Sequence, residues 1–178
     1  MKKIIISLII LLAVIGFVAL KYQEYPISKG EQLVNSTLAK TAKIIRDKYN
    51  LRPCGEGAAM PGGPIQALTL CFVTKYPYTK EWLRLLVIES AHELLKQVNE
   101  NNEIQLFLYE PFTIKNIQII IYNHDKDGRE VYDPGFSGVQ ISEGILTFKT
   151  VDKSNTFRFK DRFEETYEEA LEKIRNES

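Results

Sequence analysis

The sequence predicts an α+β fold, with an N-terminal transmembrane helix followed by a mostly antiparallel sheet with helices packed on it. Three observations carry that expectation. Residues Ile4 to Leu20 form an uncharged stretch behind Lys2 and Lys3. Amphipathic helical patterns occupy much of the first half of the remaining chain, and another closes it. Between them the hydrophobic period becomes that of a strand, and strands then succeed one another without intervening helices, which favours α+β over a doubly wound α/β sheet.

The first segment, IIISLIILLAVIGFVAL, has Ser7 as its one polar side chain. As a helix it would span about 26 Å, near the lower limit for a bilayer. Lys2 and Lys3 favour the cytoplasmic side, while Tyr22 and Tyr25 suit the membrane interface. Signal cleavage prefers small residues, and Phe17 stands where one is wanted in Phe17-Val18-Ala19. The segment therefore reads as a retained anchor, with residues 1–27 as the anchor or signal region and 28–178 as a single α+β domain.

Ser28 and Glu31 have capping-box spacing. They open a helix with Val34, Leu38, Ala42, Ile45 and Tyr49 along one stripe, ended by Pro53. Residues 53–64 (PCGEGAAMPGGP) hold four glycines and three prolines and read as a loop. Ile65 to Val73 is apolar on both faces, as expected of a central strand. Thr79 caps a second helix carrying Trp82, Leu85, Leu86 and Leu94.

The later segments read as strands. Ile104–Tyr109 alternates, Asn116–Tyr122 follows, and Glu130–Tyr132 is a short third strand. Leu146–Val151 and Thr156–Phe159 look like a hairpin around Asp152–Asn155. A last helix is expected from about Asp161 to Arg175, with Phe163, Tyr167, Ala170, Leu171 and Ile174 buried.

The whole chain has 23 basic and 23 acidic side chains and formal net charge zero, which speaks against nucleic acid as a partner. Two cysteines, Cys54 and Cys71, are a possible disulfide, worth about 3 kcal/mol for a loop of this length if formed. Cys54, Gly55, Glu56, Gly57, Gly62 and Gly63 are candidate ligand-binding residues, since a glycine-rich backbone can approach a ligand closely. The segment lacks the Gly-Lys-Ser/Thr of a phosphate loop and precedes a strand, so it is no nucleotide loop.

Asn123, Asp125 and Asp127 present oxygen ligands at alternate positions before Gly128, like half of a calcium loop. The twelfth position is Pro134 rather than Glu, and the flanks read as strands. A turn with Asp127-Gly128 at its tip is the competing reading. Catalytic spacing is lacking. Cys54 and His124 have the residue types of a nucleophile–base pair, but no spacing brings them together. Glu89 and Glu93 read as the wet edge of a helix. Tyr109, Phe112, Tyr122, Tyr132 and Phe136 can build an apolar recognition surface near strand ends.

The sequence thus points to a membrane-anchored envelope protein serving as an interaction or assembly module. It would be single-pass, with its C-terminal domain on the extracytoplasmic side. Its partners would be the lipid bilayer, through residues 4–20, and another membrane or envelope protein. The alternatives are a small-ligand or calcium-binding module, or an envelope enzyme with a site near the Gly-rich loop 54–64. No cofactor motif and no catalytic residue is assigned.

Overall fold

The computed structural model describes residues 27–177. Helix α1 (Lys29–Tyr49) starts at the expected capping box. The Ser28 hydroxyl accepts from the Glu31 amide at 3.2 Å, and the Glu31 carboxylate accepts from the Ser28 amide at 2.7 Å. Asn50 ends the helix in the left-handed conformation, φ 55°. The chain then forms an antiparallel pair, β1 (Arg52–Ala59) and β2 (Ala67–Val73).

Helix α2 (Lys80–Asn99), capped by Thr79, carries the chain back over the sheet. A short helix α3 (Asn102–Gln105) and a 3-10 turn (Ile114–Asn116) lead into β3 (Ile117–Tyr122). Strand β3 runs parallel to β2, with Leu70 opposite Ile119. Strands β4 (Gly138–Ser142), β5 (Ile145–Asp152) and β6 (Asn155–Thr166) follow antiparallel, and α4 (Tyr167–Glu177) ends the described chain.

The six strands lie in chain order in one curled, half-barrel sheet. The sheet is mixed: four of its five strand pairings are antiparallel, as expected, and β2–β3 is the one parallel pair. A strand–helix–strand crossover of this length returns the chain in the same direction, so β2 and β3 pair in parallel.

One face of the sheet makes the core. Leu68, Leu70, Phe72, Ile117, Ile119, Ile121, Val139, Ile141, Leu146 and Phe148 pack with Leu83, Val87 and Leu94 of α2 and with Leu38 and Ile45 of α1. Each such side chain taken from water contributes roughly 1.5–3 kcal/mol. The alternate residues, including Thr69, Cys71, Gln118, Ile120, Tyr122, Gln140 and Lys149, point to the other face. Among the described residues no helix packs there.

Other local expectations change as well. Half of the glycine-rich segment is the edge strand β1, because an edge needs hydrogen bonds on one side only and tolerates Pro and Gly. Ile104–Tyr109 is not a strand. Asn101 caps α3 there by accepting from the Glu103 and Ile104 amides, and only Leu108 reaches a bridge, to Ile65. Strand β6 runs to Thr166, so the last helix begins at Tyr167, later than its apolar rhythm implies.

The transmembrane expectation is corrected too. Among the described residues no helix is long and apolar enough to cross a membrane. Helices α1 and α2 have 21 and 20 residues, but charged side chains such as Lys40, Lys43, Arg84 and Glu93 interrupt them. Residues 4–20, on which the expectation rested, lie outside the described residues. The single-pass location, the extracytoplasmic orientation, the bilayer and envelope partners and the membrane-tethered assembly role all rested on that segment, and no helix among the described residues supports them.

Candidate functional site on the helix-free face

Strands β3, β4, β5 and β6 place a cavity of about 150 Å³ on the face away from the helices. Its lining includes Ile120, Tyr122, Gln140, Lys149 and Phe159, with Glu130 contributed by the loop after β3. Register fixes the arrangement. Ile120 lies opposite Gln140, Tyr122 opposite Gly138, and Gly138 opposite Lys149. These positions alternate with the core-facing residues, so folding the core automatically lines up the lining.

Gly138 is required by close approach. A Cβ there would stand 2.7 Å from the Ile121 carbonyl oxygen. No side chain therefore rises between Tyr122 and Lys149, its two cross-strand neighbours.

Lys149 is the chemically distinctive group. Its ammonium donates to Gln140 Oε1 at 2.9 Å and lies 4.6 Å from the centre of the Phe159 ring. Burial lowers its pKa, and the neighbouring Arg162 charge lowers it further. Among the described residues no carboxylate forms an ion pair with it, whereas Arg162 is paired with Glu164 at 2.5 Å. Burial also raises the Tyr122 hydroxyl, as do the nearby Cys71 and Cys54 thiols. The cavity thus combines apolar walls with one incompletely neutralised cation.

The residues expected from sequence lie elsewhere. Cys54, Gly55, Glu56 and Gly57 are on the edge strand β1, whereas Gly62 and Gly63 form the following turn with φ of 77° and 113°. Gly63 borders an open groove of about 410 Å³ beside the start of α1, shared with Met60 and Leu106.

Both thiols are free. Cys54 lies at a bulge beside Gly55, which pairs with Cys71. Burial, followed by the proximity of Cys71, pushes the Cys54 thiol up, and burial does the same to Cys71. Neither is the activated thiolate a nucleophile needs.

The Asn123–Asp127 segment does not converge on a metal. Asn123 is fully buried. Its carbonyl accepts from the Tyr78 amide at 2.9 Å and the Thr74 hydroxyl at 3.2 Å. Its amide group donates to the carbonyls of Tyr78 at 3.0 Å and Phe136 at 2.8 Å. Asp125 accepts from the Asp127 and Arg129 amides, closing a turn in which Gly128 has φ 78°. Asp127 pairs with Arg129. Among the described residues no group of three or more His, Cys, Asp and Glu side chains could hold a metal ion.

Sequence reasoning flagged Tyr122 as a strand-end aromatic but missed Gln140, Lys149 and Phe159. The available signal was Lys149 itself, a lysine inside the otherwise uncharged strand run LTFKTV. Comparison with protein-family models, curated proteins and solved structures finds no match to the chain.

Proposed function

We propose that the domain is a small-molecule-binding module and that the cavity bounded by Tyr122, Gln140, Lys149 and Phe159 is its site. The supporting observation is the meeting of apolar walls with a partly desolvated ammonium whose hydrogen-bonding side chain is the neutral Gln140. Ligand sites typically combine mostly apolar linings with a few placed polar groups. A lysine without a carboxylate partner is costly in such surroundings unless binding makes use of it.

The test is a fragment screen against the isotope-labelled full-length chain, read by amide chemical shifts. Hits should move Ile120, Gln140, Lys149 and Phe159 together. Ile120→Trp, which enlarges a half-buried side chain on the lining, should abolish those shifts while leaving the remaining spectrum folded. Hits that move only other regions, or none at all, would defeat the reading.

A further inference from the structure

We propose that this site takes a small organic carboxylate whose apolar body is about the size of one six-membered ring. The inference rests on the reading of the cavity as a ligand site and adds the ligand's charge and size.

Charge is the first argument. The Lys149 ammonium has a neutral acceptor, Gln140 Oε1 at 2.9 Å, and an aromatic face, Phe159, at 4.6 Å. Arg162, its cross-strand partner, adds further positive charge beside it, and among the described residues Glu130 of the lining forms no ion pair with it. Glu130 belongs to the isolated bridge with His124. An arriving anion therefore meets a cation that has not been neutralised, and a charge-assisted hydrogen bond gains strength where water is partly excluded. The Gln140 oxygen is taken by the ammonium, which leaves its amide nitrogen as a second donor.

Donor count selects the kind of anion. A phosphate is ordinarily held by several donors, often backbone amides in a loop or at a helix end. Here the backbone amides belong to strands whose ladders already use them. One ammonium with one amide nitrogen matches a monoanionic carboxylate.

Size supplies the third argument. The cavity of about 150 Å³ has Ile120 and Phe159 on its walls. An apolar cavity of about 150 Å³ can hold a benzene ring. The carboxylate would sit at Lys149 and the ring against Ile120 and Phe159.

Sodium benzoate, benzyl alcohol and benzylamine, titrated separately into the labelled full-length chain, test this directly. Benzoate is expected to shift Gln140, Lys149 and Phe159, with benzyl alcohol about tenfold weaker or more, because its neutral hydroxyl accepts from the ammonium without forming an ion pair. Benzylamine should leave these signals in place. Lys149→Met should lose benzoate but retain benzyl alcohol, and Lys149→Arg should keep benzoate, which controls for folding. If benzyl alcohol or benzylamine binds at these residues as tightly as benzoate, or if Lys149→Met keeps benzoate affinity, the carboxylate assignment is overturned and the cavity reading stands. If none of the three probes moves these residues, both fall.

Discussion

Arg84 on α2 and Glu165 on β6 are joined in a buried ion pair across 81 residues of sequence, with Arg84 Nε 2.6 Å from Glu165 Oε1 and a second contact of 3.3 Å to Oε2. Their side chains are only 5% and 3% exposed. Lys173 of α4 reaches the same carboxylate at 2.5 Å. The pair ties the crossover helix to the last strand and the last helix at one point.

Glu165→Ala is therefore expected to destabilise the fold by about 3–5 kcal/mol, the range for removing one partner of a buried pair. Urea denaturation measures it. A loss below about 1 kcal/mol would mean that the guanidinium readily finds water. Replacing both Arg84 and Glu165 with apolar residues should cost much less than the single change.

The same carboxylate sets an acid limit. Burial alone would raise the Glu165 pKa, but hydrogen bonds from Arg84 and Lys173, with their charges, hold it below the ordinary 4.5. The folded value is depressed, so the stabilisation is complete above the unfolded value and is lost as pH falls through the folded one. Wild type and Glu165→Ala should consequently converge in stability as the solution is acidified below pH 4.5. Parallel curves down to the lowest pH would contradict this assignment.

Lys149 behaves in the opposite sense. Burial, then Arg162, lowers its pKa from the ordinary 10.5. The folded state is penalised for holding the proton below the folded value, and stability recovers as pH rises from the folded value to the unfolded one. Lys149→Met should be at least as stable as wild type near neutrality, within about 0.5 kcal/mol on the unfavourable side. Its advantage should shrink at alkaline pH. Denaturant midpoints at neutral pH and near 10.5 decide the matter. A variant markedly less stable at neutral pH would assign Lys149 a structural role.

Asn123 is expected to be among the least replaceable polar residues. Its side chain joins the turn before α2 to the loop before β4 through four hydrogen bonds. Asn123→Ala strands several buried groups, each at about 1–3 kcal/mol. A loss of at least about 3 kcal/mol, the same with added calcium or with chelator, is the expected outcome of thermal unfolding. Rescue of the wild-type chain by calcium would revive the metal reading.

Gly138 and Gly62 offer a contrast between two causes of glycine dependence. Gly138→Ala places a Cβ 2.7 Å from the Ile121 carbonyl and should cost about 1–3 kcal/mol as β3 and β4 are forced apart. Gly62 has open space around it but φ 77°, so Gly62→Ala should cost only about 1 kcal/mol of backbone strain. Equal losses at the two positions would show that the strand contact relaxes freely.

Local interactions were legible in the sequence. Ser28 with Glu31, and Thr79 ahead of its apolar rhythm, start helices because the capping partners are three residues apart. The Asp152–Asn155 turn closes its hairpin for the same short-range reason. Tyr122 was recognisable as a strand-end aromatic. What failed depended on distant partners. Arg52–Ala59 has poor strand composition and becomes a strand because β2 offers it a free edge. Gly138–Ser142 is a strand because β3 and β5 flank it.

The sequence alone determined where α1 and α2 start and which stripe of α1 is buried, because capping and helical rhythm depend on spacing along the chain. Tertiary structure alone decided the parallel β2–β3 pairing, the buried Arg84–Glu165 contact and the grouping of Tyr122, Gln140, Lys149 and Phe159 around one cavity. The physical reason is that register and crossover, set by burial of the opposite face, bring together side chains that no local interaction connects.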